Sequence, residues 1–215
     1  MAGTVINENN VVYKTLQKAI NETGFNFSLE DVLAEGAGKE KLQAIKSILH
    51  VYAQKNDDTL ADDIYSRFIV YLKEAYNMQE ILPQDNAEDL FRQLKQKNIL
   101  VILNTGYNRE TAQSLLTKLG WEKGVQYDGL VTATDVDQNR PDPDMVWLAM
   151  EQFGITDAHE VAKVGDSIID IEEGKNAGCG LSIGITTGAH TFEQLLSAKP
   201  DHIINNLLEL LPLLG

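Results

Sequence analysis

Two aspartates, Asp166 and Asp170, stand where an apolar stretch (Val161, Ala162, Val164) gives way to a run with helical spacing, Ile168 to Ala177. Carboxylates this close repel each other unless a cation lies between them. Such a pair of hard oxygen donors suits Mg²⁺, which takes few protein carboxylates and keeps several waters. The plain alternative is an acidic helix start, favoured by the helix dipole. One aspartate suffices for that, and two directly after an apolar strand favour the metal.

Two other stretches carry groups that suit an anion. In LNTGYNR (103–109), Thr105 ends an apolar run, Gly106 follows it, and Asn108 can cap the next helix. A hydroxyl, free backbone N–H groups and a helix N-terminus there suit a phosphate or phosphonate oxygen. In DQNRPDPDM (137–145), Arg140 precedes Pro141, which favours an extended backbone before a helix. A guanidinium placed this way can neutralise a phosphoryl group. Taken singly, Thr105 reads as an ordinary loop threonine and Arg140 as a solvated arginine.

The elements that would position these groups alternate. After Pro83 the pattern predicts helix 87–97, strand 99–103, helix 108–119, strand 129–134 and helix 142–153. Strand 161–165, helix 168–177, strand 181–186, helix 191–197, strand 202–204 and helix 206–213 follow. Such alternation implies right-handed crossovers and a mainly parallel, Rossmann-like sheet, with ligands beyond the carboxyl ends of its strands. Asn10 to about Met78 reads instead as helices only: 11–22, 29–34, 39–53 and 58–76, with Leu60, Ile64, Phe68 and Leu72 on one face of the last. The expectation is an α/β core with an inserted α-helical cap, the core covering 1–9 and 80–215 and the cap 10–79.

The chain has 215 residues, a net charge of −14 and one cysteine, Cys179. A surface that negative repels nucleic-acid backbones, so a nucleic-acid partner is not expected. A single cysteine allows no disulfide framework within the chain. No apolar stretch reaches the length of a membrane span, and the first residues do not read as a signal peptide. A cytoplasmic setting is the expectation. His190 reads as a plain loop histidine, Cys179 as packed, and Trp121 and Trp147 as core or domain-contact residues.

In this order the three stretches resemble the haloacid dehalogenase superfamily of phosphohydrolases. Thr105 is similar to that family's second motif, Arg140 to its third and GDSIID (165–170) to its fourth. The first motif of the family usually reads Asp-x-Asp-Gly-Thr, and this chain starts Met1-Ala2-Gly3-Thr4. With an aspartate before Met1 it would read Asp-Met-Ala-Gly-Thr. Alanine for the second aspartate, and arginine for the usual lysine of the third motif, resemble the phosphonatase (phosphonoacetaldehyde hydrolase) branch. AGKEKLQAIKSIL (37–49) resembles the segment that carries the phosphonatase Schiff-base lysine, which falls at Lys41, with Lys39 the weaker candidate. By residue type alone both lysines read as solvated helix residues. A histidine that phosphonatases carry three positions after that lysine falls at Ala44, a departure from the pattern.

The resemblance implies a Mg²⁺-dependent hydrolase of a small phosphonate or phosphate. It works through an aspartyl-phosphate on an aspartate expected just upstream of Met1, after an apolar strand. Thr105, Arg140 and Lys41 would be catalytic, and Gly106, Asn108 and Lys39 would bind substrate. Asp166, Asp170 and the Ala2 carbonyl would hold the metal, with Asp170 either ligating it or orienting the ligands. A phosphate monoester phosphatase, with Lys41 acting only as a cation, is the second reading. A non-catalytic binding protein is the third, should the nucleophile be absent. Oligomeric state is open in the sequence, and the phosphonatase resemblance implies a homodimer joined through the caps.

Overall fold

The computed structural model describes residues 1–214; Gly215, the last residue assigned to the core, lies outside them. A short strand, β1 (Ile6–Asn7), leads into four helices: α1 (Val11–Asn21), α2 (Leu29–Gly36), α3 (Lys41–Ala53) and α4 (Asp58–Met78). Strand β2 (Leu82–Pro83) then pairs antiparallel with β1, Ile6 opposite Pro83. The chain therefore leaves for the helical unit and returns from it on adjacent strands. Neither strand was expected from sequence, because two-residue pairs carry no periodicity.

Local chemistry explains the helix boundaries. Ser28 and Asp31 close a reciprocal capping box at the start of α2. The Asp57 carboxylate accepts from Leu60 N at 3.0 Å to start α4. Leu16, Ile20, Ile45, Ile48, Ile64 and Phe68 are fully buried where α1 packs on α4 and α3 on α2 and α4. Burying each contributes about 1.5–3 kcal/mol.

Alternation follows: α5 (Ala87–Gln96), β3 (Ile102–Thr105), α6 (Arg109–Leu119), β4 (Gly129–Thr132), α7 (Asp144–Phe153), β5 (Ala162–Gly165), α8 (Ile168–Ala177), β6 (Leu181–Ile185), α9 (Phe192–Ser197) and β7 (His202–Ile204). Gly120, Gly154 and Gly178 end α6, α7 and α8 with left-handed backbone, φ 67°, 69° and 78°. The expected helix 206–213 is a 3₁₀ segment, Leu207–Leu213.

All the core pairs are parallel, but they form two sheets, β3–β4 and β5–β6–β7. The single mainly parallel sheet expected from the alternation is thus divided. Ile102, Asn104, Ala162 and Lys163 line a cleft between β3 and β5, walled by Leu94, Met145 and Leu210. Among the described residues the facing edges of β3 and β5 have no strand partner. No helix among them is long and apolar enough to cross a membrane.

Candidate active site

The carboxyl ends of β3 and β5, the loop before α7 and the first residues of the chain meet under the helical unit. There they enclose a small cavity lined by Met1, Ala2, Thr105, Arg140, Asp166 and Asp170, and closed from above by Tyr13, Gly38, Lys41 and Tyr107. Gly106 forms part of its wall. A Cβ at Gly106 would lie 2.9 Å from the carbonyl oxygens of both Gly38 and Lys39, so only glycine lets the segment before α3 come this close.

Arg140 is not a solvated loop residue. It is 4% exposed, and its peptide bond to Pro141 is cis. Its Nη1 lies 3.0 Å from Asp170 Oδ1 and its Nε donates to Glu173 Oε2 at 2.9 Å. Lys163, rising from β5 beneath them, reaches the same two oxygens at 3.1 and 2.6 Å. Burial pushes the Asp170 and Glu173 carboxyls up, but the Arg140 and Lys163 charges outweigh it and hold both below the usual carboxylate range. One donor of this cluster is unused: Arg140 Nη2 is buried without a partner. Such an orphan cation donor at a cavity is ready to donate to a phosphoryl oxygen.

The two aspartates turn to different protein partners. Asp170 Oδ1 is taken by Arg140 and Lys163, and its Oδ2 accepts from Ser167 Oγ at 2.6 Å at the start of α8. Asp170 thus fills the helix-start role and also orients Arg140. Asp166 turns the other way. Its Oδ1 accepts from Thr4 Oγ1 and its Oδ2 from Ala189 N, both at 2.9 Å. A Cβ on Gly3 or Gly188 would collide with this carboxylate, so two glycines form its cradle. Burial, then the Asp170 charge, raises the Asp166 carboxyl above its ordinary value. A site built this way favours a cation beside Asp166. Among the described residues no three His, Cys, Asp or Glu side chains cluster to hold one unaided.

Lys41 is buried at the start of α3, 5% exposed, and donates to the Lys39 carbonyl. The Tyr13 and Tyr107 ring centroids each lie 5.6 Å from its Nζ. Burial, aided by the Arg140 charge and opposed by Glu40 and Glu8, lowers its pKa to about 8. Behind Tyr107 runs a buried chain: Tyr107 OH and Tyr76 OH are 2.9 Å apart, and Tyr76 OH donates to Glu8 Oε2 at 3.1 Å. Glu8, held also by Val12 N at 3.0 Å, is pushed by burial up to about 7.

Three expectations from sequence are corrected. Lys39 turns away from the cavity to Glu35 at 2.5 Å and Ser47 at 2.8 Å; only its carbonyl serves Lys41. Asn108 spends its side-chain oxygen capping α6, accepting from Thr111 N at 2.8 Å, and does not line the cavity. His190 is no plain loop histidine. It is 4% exposed, its Nδ1 accepts from Ile168 N at 3.0 Å and its Nε2 faces Leu33 O of α2 at 3.3 Å, tying the helical unit to the core. Trp121 is buried as expected, whereas Trp147 is half exposed. Glu8, Tyr13, Lys163 and Glu173 were given no site role from sequence, because their local spacing does not say which distant groups they meet.

Comparison with known proteins follows the same lines. Residues 1–183 match the sequence pattern of the haloacid dehalogenase-like hydrolases. The chain is 32% identical over 140 residues to a phosphonoacetaldehyde hydrolase of Latilactobacillus sakei, covering 54% of this chain and 52% of that protein. It is 30% identical over 180 residues to one from Parabacteroides distasonis, covering 77% and 67%. The chain spans about half the length of the first of these. In fold it is similar to a hydrolase from Pseudomonas syringae, with a TM-score of 0.86 at 19% identity over 98% of this chain and 93% of that one.

Proposed function

This chain belongs to the haloacid dehalogenase-like hydrolases, and on that footing we propose that it hydrolyses a small phosphonate carrying an aldehyde. The observation that carries this reading is a pair of groups at one cavity: the unpartnered Arg140 Nη2 and the buried Lys41 amine. The first takes a phosphoryl oxygen. The second, part-neutral near pH 8, can condense with a carbonyl.

In this reading Thr105 and Arg140 hold the phosphoryl group, while Asp170, Glu173 and Lys163 fix the guanidinium. Asp166 and the Ala2 carbonyl would hold Mg²⁺, with Asp170 as orienting group; the metal would supply charge neutralisation to the phosphoryl group when bound. On the family resemblance, the attacking carboxylate would belong to an aspartate placed immediately before Met1. Two features support that place. The Met1 nitrogen is buried at the cavity, 3.4 Å from Asn104 O, and the cleft between β3 and β5 offers two open edges to an extended parallel segment. The cavity is only about 20 Å³, too small for a phosphonate, so the helical unit lifts to admit substrate and excludes water when it returns. The likeness to phosphonatases extends the reading to a homodimer with a phosphonate as its small-molecule partner.

Borohydride trapping with phosphonoacetaldehyde tests the lysine. A covalent adduct at Lys41 is expected, and its absence ends the aldehyde reading, leaving hydrolysis of phosphate monoesters to be measured beside it. For the nucleophile, a chain extended before Met1 by an apolar strand ending in aspartate should release phosphate from substrate. The same extension ending in asparagine should not.

A further inference from the structure

Lys41 is flanked by two tyrosines, and their hydroxyls are committed differently. Tyr107 belongs to the chain that ends on Glu8. Once Glu8 is a carboxylate, Tyr76 donates to it, and Tyr107 must then donate to Tyr76. Its hydroxyl hydrogen points away from the amine.

Tyr13 is the reverse case. Its oxygen accepts from Gly38 N at 3.0 Å, and its hydroxyl hydrogen has no acceptor among the described residues. The residue is 8% exposed and lines the cavity with Lys41, Arg140 and Thr105. A hydroxyl has one hydrogen to give, so a buried Tyr13 stands as an unspent donor beside a buried amine. Burial also raises its pKa far above the ordinary phenol value, so it is still an O–H near pH 8, where the lysine turns neutral.

We propose that Tyr13 donates a hydrogen bond to the aldehyde oxygen of the substrate while Lys41 adds to its carbonyl carbon. The inference rests on the aldehyde reading above and assigns the residue that recognises the carbonyl. In the step, the amine lone pair forms the C–N bond and the carbonyl π pair moves onto oxygen, where Tyr13 stabilises the developing charge. Both amine hydrogens then leave with that oxygen as water, and the C=N bond of the imine remains. Tyr13 keeps its own proton throughout. The same donor finds no carbonyl in a plain phosphate ester, so it favours aldehyde-bearing substrates.

The test uses the chain as it stands, because imine formation needs no phosphorus chemistry. Tyr13→Phe removes only the hydroxyl. Borohydride trapping of phosphonoacetaldehyde at Lys41 should slow about 10- to 100-fold in the variant, the worth of a hydrogen bond to a charged oxygen. Arylation of Lys41 by 1-fluoro-2,4-dinitrobenzene, which presents no carbonyl, should proceed at the wild-type rate. If both reactions slow equally, or neither slows, Tyr13 does not act on the carbonyl and the proposal falls while the lysine chemistry stands. If the wild-type chain forms no adduct, the aldehyde reading fails and takes this one with it. Should Tyr13→Phe not fold, Tyr13→3,5-difluorotyrosine keeps the ring and the Gly38 bond and strengthens the donor. Faster trapping with unchanged arylation then supports the proposal, and unchanged trapping overturns it.

Discussion

Arg140 holds its Nε 2.9 Å from Glu173 Oε2 and keeps its Nη2 buried and unbonded. One side chain thus spends part of its fork on the protein and reserves the rest for a ligand. A lysine offers a single ammonium at the end of a flexible stem and cannot serve Glu173, Asp170 and a phosphoryl oxygen at once. Arg140→Lys should weaken binding of inorganic phosphate by about 10- to 100-fold, the worth of a charge-assisted hydrogen bond. Titration calorimetry measures it. Unchanged affinity would place the phosphoryl site elsewhere.

Lys163 should matter to stability more than its place in a strand implies. It reaches Asp170 at 3.1 Å and Glu173 at 2.6 Å, and it is 8% exposed. Lys163→Met fits the space but leaves two buried carboxylates with Arg140 as their remaining cation. Breaking a buried pair from one side costs about 3–5 kcal/mol. Urea unfolding should register a loss of that order. A loss under 1 kcal/mol, about that of an exposed pair, would mean the network adds little.

The Lys41 reaction has a pH dependence whose sign follows from burial. Burial disfavours the ammonium, so the amine becomes neutral as pH rises through about 8, against 10.5 for an ordinary lysine. The rate of imine trapping should climb over that interval and level off above it. A midpoint close to the ordinary value would show that the amine is not desolvated.

Glu8 links pH to folding. Its carboxyl titrates near 7 in the fold and near 4.5 when unfolded, so the native state binds its proton more tightly. That contribution is complete below about pH 4.5 and is lost as pH rises through 7. Glutamine keeps an oxygen for Val12 N and Tyr76 OH and cannot ionise. Glu8→Gln should therefore be more stable than the parent at pH 8, by up to ~3 kcal/mol, with the gain fading toward pH 4. Urea titrations across that range check it, and a difference that does not vary with pH would count against the burial cost.

Much of the fold was legible because its signals are local. Ile168–Ala177 and His202–Ile204 fall where the pattern placed them, and the Gly120, Gly154 and Gly178 stops coincide with left-handed helix ends. The shift of strand 99–103 to Ile102–Thr105 has a physical origin: the strand is defined by pairing with Gly129–Thr132, not by the apolar run, whose Leu100 is 44% exposed. The antiparallel β1–β2 pair and the division of the sheet were illegible, since both depend on which distant backbones meet.

By itself the sequence determined the helical and strand-helix halves and the residue types at the strand ends: Thr105, Arg140, Asp166 and Asp170. Those are written in spacing along one chain. The tertiary structure alone decided how they are used. Asp170 serves Arg140 and Lys163, Asp166 faces the first residues of the chain, Lys39 turns outward and Lys41 inward, and Tyr13 arrives with a hydrogen to give. Charge state and hydrogen-bond partners depend on burial and on distances between residues far apart in sequence, and these exist only once the helices have closed over the strand ends.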